Sequence, residues 1–214
     1  KPSILVSHLS ACKLNITPKE EFTSKTIKIS INDFIDKDEL IKKLFNIGYI
    51  KTDHIQQTSQ LANRGMILDI FDPAYENPIR IEFFGDEVED IRLFKIEDEL
   101  SYKHVDNIII HPSQLRLLNN NSLNYLNEEK AAFENAEVVS KLKKENLEEI
   151  YNSLFLKVEE GYLSESDARF YKLLTHEENN ILSYLDDYEK YLFNEDEIKK
   201  EEKEIKLKEK DYFI

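Results

Sequence analysis

Two tight turns set close together constrain this chain more than any other feature. The segment Asn63-Arg-Gly-Met-Ile-Leu-Asp-Ile-Phe is followed by Asn77-Pro-Ile-Arg-Ile-Glu-Phe-Phe-Gly-Asp-Glu-Val-Glu-Asp-Ile-Arg-Leu-Phe, and together they read as strands over 66–71, 79–84 and 87–94 joined by turns. Three of the four glycines, Gly48, Gly65 and Gly85, fall in this part of the chain, where the backbone must turn sharply or enter the left-handed region. Side chains alternate across a strand, so Ile79, Ile81 and Phe83 share one face and Arg80, Glu82 and Phe84 the other. The first face is predicted core.

The second face is unusual. A large aromatic shares it with two charged residues that would not be buried unpaired. Two placements of Phe84 are open at this point: it ends the strand and tucks under the Phe84-Gly-Asp-Glu turn, or it stands on the surface beside Arg80 as part of a protein-binding patch.

These residues also carry a family resemblance. The run ANRGMILDIFDPAYENPIRIEFFGDEVEDIRLF, preceded by LFNIGYIKTDHIQQTSQL, resembles the second domain shared by the nucleotide-excision-repair protein UvrB and the transcription-repair coupling factor (Mfd) family. The likeness runs from about residue 40 to about residue 112 and includes the return segment Val105-Asp-Asn-Ile-Ile-Ile-His-Pro. In that family the module is the docking site for UvrA, and an arginine in the turn, an arginine in the following strand and that strand's last phenylalanine belong to the contact surface. The resemblance therefore implies UvrA as partner and Arg64, Arg80 and Phe84 as UvrA-binding residues, with no cofactor. In full-length coupling factors a separate motor binds ATP and moves on DNA, and another domain binds RNA polymerase; the resemblance covers neither in this chain. A fragment of UvrB itself is the alternative. The coupling-factor family is favoured because the region after Pro112 lacks UvrB's Gly-Ile-Glu-Asn-Tyr-Ser-Arg signature, while Gly161 to Tyr171 and Ile181 to Leu185 suit a coupling factor better.

Composition restricts function further. The formal net charge of −14 argues against a nucleic-acid binder, because phosphate contacts need clustered Lys and Arg that dominate the local field. With 214 residues, 41% hydrophobic and 34% charged, and no 18-residue apolar run, a soluble cytoplasmic protein is expected. The chain starts without Met and directly in a strand-like segment, which suggests a piece of a longer protein. Its single cysteine, Cys12, is expected to be a small buried side chain. No G-x-x-x-x-G-K-[ST] occurs, so no P-loop can cradle a triphosphate, and ATP hydrolysis is not expected. His8, His54, His104, His111 and His176 show no metal-binding spacing, and G-x-S-x-G is absent. Asp86, Glu87, Glu89 and Asp90 read as a solvated hairpin rather than paired catalytic carboxylates. No catalytic residue, metal ligand or cofactor ligand is assigned.

Outside the central stretch, Ser3-Ile-Leu-Val-Ser reads as a buried strand and Thr26 to Asn32 as a half-buried one with Ile27, Ile29 and Ile31 inward. Asp36 and Glu39 fit the start of a helix whose apolar stripe is Leu40, Ile41, Leu44 and Phe45, with Gly48 at its end. Residues 49–58 read as extended and Gln56 to Asn63 as a loop. After Ser113 the pattern becomes helical: Leu126, Ala131, Phe133, Val138, Val139 and Leu142, then Leu147, Ile150, Tyr151, Leu154 and Phe155, then a helix from Ser164 to Leu174. Ile181-Leu-Ser-Tyr-Leu and Lys190-Tyr-Leu-Phe-Asn resemble two segments of the first domain of the coupling factors, and the resemblance puts the second where UvrB carries its Walker B strand, with Asn194 in place of the metal-binding aspartate; plain helix is the other reading. Residues 196–211 read as a solvated helix. The expected fold is α+β: a small antiparallel-sheet domain with a covering helix, inserted into remnants of a RecA-like α/β domain and followed by helices. The resemblance divides the chain into 1–19, the end of the first lobe of the degenerate RecA-like domain; 20–96, the docking domain; and 97–214, the return segment and helical part of the first domain.

Overall fold

The structure, a computed structural model, describes residues 6–134, 141–185, 189, 196–200 and 202–203. The segment Lys190-Tyr-Leu-Phe-Asn with Asn194, and Val138 and Val139, lie outside the described residues, as does most of the strand expected from Ser3. The fold is α+β. In chain order the elements are α1 (Leu9–Cys12), α2 (Lys19–Ser24), β1 (Ile27–Ser30), α3 (Lys37–Asn46), β2 (Ile50–Lys51), β3 (Gln60–Arg64), β4 (Ile67–Ile70), β5 (Ile79–Phe84), β6 (Glu87–Phe94), β7 (Ser101–His104), β8 (Asn107–Ile110), α4 (Ser122–Glu134), α5 (Lys141–Glu159) and α6 (Tyr171–Thr175).

The central sheet has six strands in the order β2-β3-β4-β5-β6-β7, antiparallel except for the parallel β2–β3 pair. This corrects two expectations: residues 60–64 form a strand rather than a loop, and β7 extends the sheet beyond the three strands read from the pattern. The short β3–β4 and β5–β6 turns each place a glycine with positive φ first, Gly65 at +61° and Gly85 at +63°, the arrangement of two-residue hairpins that match the strand twist.

One face of the sheet carries the main core. Leu61, Leu68, Ile70, Ile79, Ile81, Phe83, Val88 and Ile91 pack there with α3 residues Leu40, Ile41 and Leu44. The α3 start is as the sequence indicates, with the Asp36 carboxylate accepting from the Glu39 backbone N–H at 3.0 Å. The core continues past the sheet: Ile29 of β1 and Ile108 and Ile110 of β8 belong to it, and these two strands pair with Ile27 opposite Ile110.

A second core holds Leu118, Leu126, Leu154, Val158, Leu163, Tyr171 and Leu174 of the helical region. Here Ser164 does not cap a regular helix. Residues 165–170 form a 3₁₀ segment, the Ser164 hydroxyl bonds the Asp167 carboxylate instead of a backbone N–H, and α6 is correspondingly short. Ile181–Leu185 is also 3₁₀. Thr17, fully buried, ties the N-terminal segment to the later chain. Its N–H donates to Leu115 O at 2.9 Å, and its hydroxyl oxygen accepts from the Leu117 N–H at 2.7 Å and from the Tyr171 hydroxyl at 3.2 Å. Cys12 is half-buried rather than a core residue.

Candidate docking face

The other face of the six-stranded sheet is graded along the strands. At one end Ile55, Ala62, Phe71 and Phe94 form a small apolar floor. Across the middle, strand register aligns Ala62, Asp69, Arg80, Arg92 and His104 in one row and Arg64, Ile67, Glu82 and Asp90 in the next. Beyond them, where the hairpins turn, Met66 and Phe84 are exposed, and Phe34 bridges to the same edge opposite Glu87.

Asp69 organises the middle row. It is fully buried, and its carboxylate accepts a fork from Arg80, Nε to Oδ1 at 2.8 Å and Nη2 to Oδ2 at 2.9 Å. Arg64 Nη2 reaches the same Oδ2 at 2.5 Å. An unpaired carboxylate would be costly to bury; here the two guanidinium groups satisfy it, and its hydrogen bonds push both arginine pKa values up. Arg80 is further clamped with its guanidinium 4.5 Å from the centre of the Phe94 ring, and it donates to Glu99 O at 3.3 Å. Arg64 remains more open, and its outer nitrogen pairs with Glu99 at 3.1 Å. Glu99 also accepts from His54 at 2.9 Å; that bond first, then Arg64, holds its carboxyl below the usual range. A second set, Arg92 with Glu82 and Asp90, and His104 with Asp90, extends the lattice toward β7.

The three residues singled out by the resemblance are therefore placed on one face, in unequal settings. Phe84 is 74% exposed, which decides between its two placements: it does not tuck under the turn. Its Cα is about 13 Å from that of Arg80, four residues along the same strand. Arg64 is partly open at the β3–β4 turn. Arg80 corrects an expectation, because its side chain is only 14% exposed and its planar fork is already used on Asp69. It is a frame for the face rather than a free cation.

Asp69, Glu99 and His54 were not found from the sequence. Asp69 does leave a trace, as a lone carboxylate inside Ile-Leu-Asp-Ile. Pairing it with Arg80 requires the β4–β5 register, and the loop from 71 to 78 is too long for turn type to fix that register. Glu99 lies in an irregular loop at φ +55° and leaves no pattern.

Among the described residues no group of three or more His, Cys, Asp or Glu could hold a metal ion, and no helix is long and apolar enough to cross a membrane. A cleft on the α3 side, lined by Phe45, Gly48, Tyr49, Tyr162 and Leu163 with Lys42, Lys51 and Glu160 also in its lining, is mainly apolar.

Residues 27–115 match the model of the UvrB interaction domain family. The transcription-repair-coupling factor of Staphylococcus aureus strain USA300 is 30% identical over 158 residues, covering 73% of this chain and 13% of that protein. The transcription-repair-coupling factor of Bacillus subtilis strain 168 is 29% identical over 220 residues, covering 94% of this chain and 18% of that protein. The chain thus spans under a fifth of the length of these curated relatives. The matched residues include both glycine hairpins, the arginine–aspartate row and Phe84. Residues 27–115 belong to the UvrB interaction domain family, within a chain homologous over most of its length to transcription-repair-coupling factors.

Proposed function

We propose that this chain is a protein-interaction module of a transcription-coupled DNA repair factor, that its sheet face docks UvrA, and that it performs no catalysis itself. The observation that carries this reading is the placement of Phe84. A phenylalanine three-quarters exposed, at the end of a row of arginines already ordered by Asp69, is a rigid anchor that requires no rearrangement to bind. The coupling-factor homology and the family match over the same residues support the repair setting. Arg64, with one nitrogen facing outward to Glu99, is the guanidinium best placed to exchange its internal carboxylate for one on UvrA. Calorimetric titration of purified UvrA into the full chain is the test. Saturable binding that Phe84→Ala weakens on the order of 30-fold, equivalent to about 2 kcal/mol, is expected; no binding by the wild-type chain would overturn the reading.

A further inference from the structure

The aromatic edge of this face contains a feature that the three family-implied residues do not cover. Phe34 is 79% exposed, although it lies in a short ordered segment rather than a loose loop. Its backbone is fixed by Ile35 N–H donating to Asp86 O at 2.7 Å and Val88 N–H donating to Asp33 O at 2.9 Å, which makes Phe34 a bridge partner of Glu87. Glu87 is also the register partner of Phe84 across the hairpin. Residues directly opposite on antiparallel strands project to the same side, so Phe34, Glu87 and Phe84 stand in one lateral row with the carboxylate between two exposed rings. The bonds that flank the Phe34–Glu87 bridge make it the close kind of pair, and adding the two lateral steps separates the phenylalanine Cα atoms by about 10 Å.

Charge sets Glu87 apart from its neighbours. Asp69, Glu82, Asp90 and Glu99 on this face are each paired with an arginine or histidine of the chain. Glu87, half-buried between the rings, has no such partner among the described residues. A cation seated over Glu87 would have an exposed aromatic ring on either side for cation–π attraction and the carboxylate as its counter-charge.

We propose that Phe34, Glu87 and Phe84 form a receptor for one basic side chain, arginine or lysine, of the docked partner. The proposal rests on the docking reading above and adds to it. The face then offers two opposite charges to its partner: Arg64 on β3 takes a carboxylate, and the Phe34–Glu87–Phe84 row, centred on β6 three strands across the sheet, takes a cation. Two complementary ion pairs of reversed sign fix the orientation of the partner on the sheet, which a single arginine contact cannot do.

The test is titration of UvrA into the full chain and into Phe34→Ala, Glu87→Gln, Glu87→Lys and Phe84→Ala, each at low and high salt. Phe34→Ala and Glu87→Gln are each expected to weaken binding about tenfold, Glu87→Lys by more, and Glu87→Gln to flatten the salt dependence relative to wild type. Glu87→Gln is nearly isosteric, so it remains informative if Phe34→Ala fails to fold. Wild-type binding that Phe84→Ala weakens, but that Phe34→Ala and Glu87→Gln leave unchanged, overturns this inference and leaves the docking reading intact. Absence of binding by the wild-type chain overturns both.

Discussion

Arg80 and Phe84 sit on one strand and point the same way, yet substitution should separate them cleanly. Phe84 is exposed and belongs to none of the buried clusters, so Phe84→Ala should leave the melting temperature within a few degrees of wild type while weakening UvrA binding. Arg80 supplies two of the three hydrogen bonds to the buried carboxylate of Asp69. Removing it leaves Asp69 with Arg64 alone, and breaking a buried pair by deleting one partner is strongly destabilising, so Arg80→Ala should cost on the order of 3 kcal/mol of folding stability. Urea unfolding of the two variants checks this. If Arg80→Ala unfolds at the wild-type midpoint, the Asp69 cluster contributes nothing to the fold and Arg80 is a plain surface arginine. Loss of UvrA binding by Arg80→Ala therefore has to be measured on protein shown to be folded. Otherwise it reports on the frame of the face rather than on contact.

At the scale of elements, one close approach and one buried phenol make predictions that the candidate docking face does not. Gly48 ends α3 at φ +99°, and a Cβ there would lie 2.7 Å from Gln114 Cγ and 2.9 Å from Ser113 Oγ. Strain and collision act together, so Gly48→Ala should destabilise by about 1 to 3 kcal/mol, read from thermal or urea unfolding. In the helical region, burial pushes the Tyr171 phenol up to about 12 from its ordinary 10.0. A phenol whose folded value is raised contributes stability that is complete below pH 10 and is lost as pH climbs from 10 toward 12. The contribution is about 2 to 3 kcal/mol. Unfolding midpoints between pH 9 and 12 should fall more steeply for the wild type than for Tyr171→Phe. Much at this scale was legible in the sequence. The inward row Ile79, Ile81, Phe83, the α3 stripe and the hairpin glycines all follow from local periodicity and turn chemistry. The Gln60–Arg64 strand escaped because its Gln-Leu-Ala-Asn-Arg carries little β-branched or aromatic signal; it is a strand by virtue of β4 and β2 on either side. The burial of Arg80 escaped for the same kind of reason, since it depends on a carboxylate eleven residues away whose register no local rule supplies.

For the whole molecule, the question is where the proposed docking unit ends. Strand patterns and the family likeness suggest a unit over about 20–96, but the packing argues for a longer one. Strand β8 pairs along its length with β1, and Ile108, Ile110 and Leu117 are buried in the same core as Ile29, Leu44 and Ile81. A fragment stopping at 96 leaves β1 without its only strand partner among the described residues and exposes the apolar side of Ile29, besides losing β7 from the sheet edge. The entry and exit of the longer unit also lie side by side, since Ile27 faces Ile110 and Thr17 bonds Leu115 and Leu117. Adjacent ends are what allow a domain to sit within another without disturbing either. We therefore propose that residues 20–117 fold as an independent unit. Three large apolar side chains lost from a core, at about 1.5 to 3 kcal/mol each, amount to most of the stability of a domain of this size. The 20–117 fragment should unfold cooperatively and bind UvrA as the full chain does. The 20–96 fragment should show collapsed, poorly dispersed amide resonances. Equal dispersion and equal melting of the two fragments would place the boundary at 96 and reduce β8 to an accessory strand.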